Sequence, residues 1–193
     1  MNLSKILAIG IVVSGVIILG IGLFQIWDIK KQEQVSLAAA KELVQENTPM
    51  ANKKEFKPVT GEASGLLLIP KIDAELAIVE GTDPDDLEKG VGHYKGSFYP
   101  EENGQIVLSG HRDTVFQKAG ELVLGDLLTM KMPYGDYTYV ITGTKIVSAD
   151  DTSIINLQNS EEELLLTTCY PFSYIGDAPE RYIIYAKRIL DKN

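Results

Sequence analysis

Leu164-Leu165-Leu166-Thr167-Thr168-Cys169-Tyr170-Pro171-Phe172, followed after a short loop by Arg181-Tyr182-Ile183-Ile184-Tyr185-Ala186-Lys187-Arg188-Ile189, is the stretch on which the fold turns. The first run is apolar and reaches a proline that cannot donate to a β-ladder, so a strand over 164–168 has to stop there. The second run mixes β-branched and aromatic residues, which predicts a strand over 182–189. If the two pair antiparallel, the end of one lies beside the start of the other. Cys169 and Arg181 then become cross-strand neighbours.

Working outward, similar short runs occur at Leu66–Ile69, Leu76–Val79, Gln105–Leu108, Leu127–Met132 and Tyr137–Val147, with Gly, Pro, Asp and Asn between them. Short helices are predicted over Pro84–Lys89 and around Ile154–Gln158. Thr82 or Asp83 would cap the first, Pro84 would occupy its first turn and Gly90 would end it. Seven or eight strands without alternating long helices predict a mainly β domain, a closed or nearly closed β-barrel rather than a parallel α/β sheet. Residues 64–193 form this domain, long enough for a core of its own.

The amino-terminal part reads differently. Ile6 to Trp27 is 22 residues without a charge. At ~1.5 Å per residue it spans ~33 Å, enough to cross a hydrocarbon core of ~30 Å. Trp27 suits an interface, and Asp28, Lys30 and Lys31 stop the run. It is longer than the apolar region of a signal peptide and lacks a small-residue cleavage site directly after it, so residues 1–27 read as an uncleaved membrane anchor in contact with the lipid bilayer through 6–27. Lys5 on one side and Lys30-Lys31 on the other leave the orientation open. Residues 28–63 read as a juxtamembrane linker, partly helical. Helix formers run from Gln32 to Glu46, Asn47-Thr48-Pro49 ends them, and Gly61 and Gly65 read as loop. Truncation before residue 60 is therefore expected to leave a soluble, active domain.

Residues 1–63 hold seven basic and six acidic side chains, whereas 64–193 hold 11 and 21, a net charge of −10. That acidity argues against nucleic acid as a partner, because a nucleic-acid binder carries a basic footprint. One cysteine excludes an internal disulfide and any zinc site built from several cysteines. No cofactor is expected, and no metal: the two histidines and the cysteine are not at ligand spacing, and Asp83, Asp85, Asp86, Glu101 and Glu102 do not follow a calcium-loop pattern.

Three side chains stand out chemically. Cys169 ends a strand, His111 follows the 105–108 strand through Ser109-Gly110, and Arg181 opens the last strand. A thiol is a strong nucleophile once deprotonated, an imidazole can exchange its proton near neutral pH, and a guanidinium can hold a carbonyl or developing oxyanion without giving up a proton. Together they suit acyl transfer through a thioester. Composition alone leaves plainer readings open: a core cysteine, a structural histidine, a surface arginine.

Ser109-Gly110-His111-Arg112-Asp113-Thr114-Val115-Phe116, Leu166-Thr167-Thr168-Cys169-Tyr170-Pro171-Phe172 and Ala178-Pro179-Glu180-Arg181-Tyr182 resemble, in order, the motifs of the sortases, and Gly90-Val91-Gly92-His93-Tyr94 resembles a further sortase stretch. Tyr-Pro-Phe and Ala-Pro-Glu-Arg are most similar to class D, with class A as near neighbour. One departure is Leu165, where the sortase pattern has threonine. The resemblance implies an eight-stranded β-barrel behind an N-terminal transmembrane helix. It implies a cysteine transpeptidase that cleaves a Leu-Pro-x-Thr-Gly/Ala-like sorting signal after Thr and passes the acyl group to a cell-wall (peptidoglycan) precursor amine. Its partners would be surface proteins carrying a C-terminal sorting signal. By position Cys169 becomes the nucleophile, His111 the acid/base and Arg181 the oxyanion holder, with Thr168, Tyr170 and Phe172 at the substrate. The domain would lie outside a Gram-positive cell membrane, crossed once. A thiol peptidase that releases the peptide to water, or a weak binding module of the same fold, remains the alternative. His93 is expected to be structural or substrate-facing.

Overall fold

The computed structural model describes residues 3–45, 53–173 and 176–190. Eight strands close a barrel: β1 (Ala63–Ile69), β2 (Ala74–Glu80), β3 (Val91–His93), β4 (Gln105–Ser109), β5 (Leu127–Met132), β6 (Gly135–Ser148), β7 (Glu163–Tyr170) and β8 (Glu180–Arg188). Their order around the barrel is β1-β2-β3-β4-β7-β8-β6-β5. Only β2/β3 and β4/β7 run parallel. The first of these crossovers carries a short helix, α2 (Pro84–Leu87).

Alternation along the strands builds two cores. Leu67, Ile69, Leu164, Leu166, Ile184 and Ala186 point into the barrel, where they pack with Ile78, Ile106, Leu128 and Tyr139. Leu165 and Ile183 face outward and are covered, with Val107 and Val147, by Ile154, Ile155 and Tyr185. Strand β7 is thus buried on both faces, which is why its sequence is an unbroken Leu-Leu-Leu. At the far end of β7 and β8 from Cys169, Glu162 accepts hydrogen bonds from Tyr139 Oη (2.6 Å) and Arg188 Nη1 (3.1 Å).

Several expectations shift. The sequence reading leaves β3 out, because three residues flanked by turn signals carry no periodicity. His93 therefore lies in a strand and not in a turn. Gly65 belongs to β1: a Cβ there would fall 2.6 Å from the carbonyl oxygen of Lys131, so the glycine marks a close approach of β5 and not a loop. The helix expected near Ile154–Gln158 is a 3-10 turn at Thr152–Ile154, opened by the Asp151 side chain, which accepts from the Ser153 amide. Asp83 occupies the cap position of α2, but its side chain makes no capping bond.

The amino-terminal helix, α1, runs unbroken from Leu3 to Gln45. Its apolar portion is long enough to cross a membrane and is not covered by protein. Beyond Trp27 the same helix continues through residues 28–45. Glu46 and the Asn47-Thr48-Pro49 stop signal lie outside the described residues. Leu37, Ala40 and Val44 pack on Leu66, Ala77 and Val79 of the β1–β2 pair, and Lys41 forms an ion pair with Glu75. This end of α1 is thus docked on the barrel wall.

Candidate functional site

The site grows from the ends of three strands. In the β7–β8 ladder Cys169 is the direct partner of Arg181, as the register argument expects. Strand β4 lies parallel on the other side of β7, with Ser109 opposite Thr167. The ladder extends one residue further, because the Gly110 amide donates to the Thr167 carbonyl (3.1 Å). His111 follows, and its carbonyl accepts from the Phe116 amide (3.0 Å), which closes a turn over 111–116. A Cβ at Gly110 would fall 2.7 Å from both Phe116 and Val115, so only glycine fits.

Cys169, His111 and Arg181 are each half-buried. They line two adjoining clefts together. The first, of about 240 Å³, is completed by Thr82, Leu87, Ser109, Gly110, Thr167 and Thr168. The second, of about 480 Å³, is completed by Arg112, Asp113, Ala149, Gly176, Asp177 and Ala178. The trio is thus the shared wall of two depressions. Arg181 is held by its own loop: Nη1 donates to the carbonyls of Ala178 (3.1 Å) and Glu180 (3.0 Å). Those bonds use one terminal nitrogen of a guanidinium whose fork offers five N–H donors.

Thr168 is buried beside the first cleft, and its hydroxyl donates to the Gly110 carbonyl (2.7 Å). Tyr170 and Phe172, expected at the substrate, line neither of these two clefts. Their rings instead form a triangle with Tyr182, with centroids 5.6, 6.0 and 5.4 Å apart. Tyr170 and Tyr182 lie on the face of the β7–β8 pair opposite to Cys169 and Arg181. Phe172 sits over Gly120, where an added Cβ would fall 2.8 Å from its ring.

The sequence reading passes over Leu87 and Arg112 as cleft residues. Leu87 was the readable one, a lone apolar residue inside Asp85-Asp86-Leu87-Glu88. Arg112 reaches the cleft through a contact 64 positions away, for which there is no local signal.

His93 is buried and sits opposite Glu80 in the β2–β3 ladder. Its Nδ1 is 2.7 Å from the Glu80 carboxylate, its Nε2 lies 3.0 Å from both the Phe98 carbonyl and Ser97 Oγ, and its ring stacks on Tyr99 at 3.9 Å. Tyr99 Oη donates to the same Glu80 oxygen (2.6 Å). Burial pushes the Glu80 carboxyl up, but the hydrogen bonds from His93 and Tyr99 outweigh it and hold the group below its usual range. Every polar atom of the imidazole is engaged, so this histidine is structural.

Comparisons with known proteins identify the family to which this fold belongs. A family model of the sortase domain matches residues 67–189. The chain is 56% identical to sortase D of Bacillus subtilis (strain 168) over 197 aligned residues, covering 97% of this chain and 100% of that protein. Among solved structures, a sortase D5 transpeptidase of Clostridium perfringens aligns with a TM-score of 0.73 at 28% identity, covering 82% of this chain and 99% of that one. Sortase C of Clostridium perfringens SM101 aligns at 0.62 with 26% identity, covering 84% and 88%. A closed eight-stranded barrel with these motifs, matched over most of its length, belongs to the sortase family, class D.

Proposed function

We propose that the chain is a membrane-anchored transpeptidase that cleaves a Leu-Pro-x-Thr-Gly/Ala-like sorting signal after Thr and joins the new carboxyl to a cell-wall precursor amine. The observation that carries this reading is the meeting of Cys169, His111 and Arg181 in one wall shared by two adjoining clefts.

The Cys169 thiolate adds to the threonine carbonyl, and the oxygen that becomes negative is held by the Arg181 guanidinium. The intermediate collapses by breaking the Thr–Gly (or Thr–Ala) bond. His111, as imidazolium, gives its proton to the departing amine, and the acyl group stays on sulfur as a thioester. The acceptor amine then attacks the thioester carbonyl, His111 takes its proton, and the thiolate leaves with the new amide formed. Thr168 borders the first cleft, where it adjoins the bound signal.

With α1 crossing the membrane once, its N-terminus cytoplasmic and the barrel outside, enzyme, anchored cargo and lipid-linked acceptor share one surface. The test uses the full-length chain in detergent micelles with a panel of sorting peptides and amines, read by mass spectrometry. Amide product that disappears in Cys169→Ala is expected. Turnover persisting in that variant would rule out the thioester route, and release of free acid alone would identify a hydrolase.

A further inference from the structure

His111 does not stand on a strand. It stands on the turn after β4, and the residues on either side of it are each tied to the β7–β8 hairpin. On the near side, the Thr168 hydroxyl donates to the Gly110 carbonyl at 2.7 Å, out of solvent. On the far side, Arg112 Nη2 donates to the Gly176 carbonyl at 2.8 Å, within the loop that joins β7 to β8. Thr168 immediately precedes Cys169, and Gly176 belongs to the loop that leads into Arg181. Both bonds therefore connect the imidazole's segment to the segment that carries the sulfur and the guanidinium.

We infer that Thr168 and Arg112 are positioning residues, a two-point clamp that sets where the His111 ring stands relative to Cys169. The inference rests on the acid–base reading of His111 given above. Neither side chain needs to touch a reacting atom for this role. The near bond holds the Gly110 main chain beside the histidine, the far bond ties the Arg112 side chain to the Gly176 main chain, and both leave the ring itself to exchange a proton. Small displacements matter here, because a shift of about 1 Å in a catalytic group can cost on the order of 100-fold in rate. The two anchors also differ in kind. Thr168 is a buried hydroxyl in a strand, whereas Arg112 is a long side chain bridging two loops, so the near tie is the stiffer one.

The test measures, on the full-length chain in detergent micelles, the pH profile of Cys169 alkylation by iodoacetamide together with kcat and KM for a sorting peptide. Thr168→Val removes the hydroxyl at nearly constant volume. It is expected to displace the pH profile and lower kcat by roughly 10- to 100-fold, with any change in KM reporting separately on its contact with the bound signal. Thr168→Ser keeps the donor and should return kcat to within about threefold of the parent by the same positioning argument. Arg112→Ala should move the profile in the same sense by a smaller amount, and Arg112→Lys, which keeps a charged donor but not the fork, should recover part of it. His111→Ala serves as the reference. If it displaces the profile while Thr168→Val and Arg112→Ala leave both profile and kcat at parental values, the clamp is overturned and the acid–base reading stands. If His111→Ala itself leaves the profile unmoved, that reading falls and the clamp falls with it. A lower melting temperature in Thr168→Val with the parental profile and kcat assigns Thr168 to stability alone and overturns its half of the clamp.

Discussion

Cys169 on β7 and Arg181 on β8 are partners in one antiparallel ladder, with their side chains on the outward face of the barrel. Such a pairing holds Cβ atoms about 4.5–5.5 Å apart whatever the loop between them does. In the proposed mechanism the guanidinium is thereby kept at the rim where a carbonyl attacked by the sulfur develops its charge. Removing a donor to such an oxyanion typically costs on the order of 100- to 1,000-fold. Arg181→Ala should lower kcat by that much while leaving the rate of Cys169 alkylation near parental. Arg181→Lys keeps the charge without the fork and should fall between. Peptide turnover at the parental rate in Arg181→Ala would take this residue out of the chemistry.

The Glu80–His93 pair makes acid stability a second prediction. The folded Glu80 carboxyl sits below its ordinary value of 4.5, so the stability it contributes is complete above that pH and is lost as pH falls through the folded value. Melting temperature should therefore decline on acidification below about pH 4.5. Glu80→Gln removes this titration. It should lower the melting temperature at pH 6 and flatten the decline between pH 5 and 3. Curves for variant and parent that stay parallel would show that Glu80 contributes nothing to the slope.

Much of this arrangement was legible in the chain. Leu164-Leu165-Leu166, followed by a proline at 171, announces a strand and its end, and that strand's pairing with 182–189 brings Cys169 to Arg181 without any further information. His111 was legible for the same reason, being two residues past a strand. Contacts set by packing between distant segments were not. Leu87 reaches the first cleft because α2 lies in the β2–β3 crossover, and Val91-Gly92-His93 is too short for periodicity to mark it as a strand. The continuity of α1 was hidden for another reason. Asp28, Lys30 and Lys31 end an apolar run, but charged residues are good or tolerable helix formers, so the backbone has no cause to stop where the hydrocarbon does.

The docking of α1 changes what truncation should do. A fragment that begins at residue 60 uncovers Leu66, Ala77 and Val79, which Leu37, Ala40 and Val44 otherwise shield. Burying a large apolar side chain is worth about 1.5–3 kcal/mol. In a domain of this size 1 kcal/mol moves the melting temperature by roughly 4 °C. Compared with a fragment that begins at residue 29, the shorter one should melt on the order of 5–10 °C lower and associate more readily. Equal melting temperatures and equal monomer fractions by sedimentation would mean that the helix contact adds nothing to the fold.

Gly110 joins packing to chemistry at one position. Its amide continues the β4–β7 ladder to Thr167, its carbonyl receives Thr168, and the next residue is His111. A methyl group added there meets Phe116 and Val115 at 2.7 Å, and Phe116 is itself buried in the barrel core and cannot swing away. Relief therefore has to come from the turn that carries His111. Overpacking of this kind typically costs about 1–3 kcal/mol of stability, and displacing the imidazole by even part of 1 Å costs rate as well, up to about 100-fold. Gly110→Ala should thus melt several degrees lower and lose kcat by a larger factor than the stability change explains at assay temperature, where the folded fraction is still near one. Gly110→Ala combined with Val115→Ala and Phe116→Leu relieves both contacts. Recovery of kcat in the combined variant, against Val115→Ala with Phe116→Leu as reference, is the expected result. A Gly110→Ala enzyme that melts low yet turns over at the parental rate would show that the turn absorbs the strain without moving the histidine.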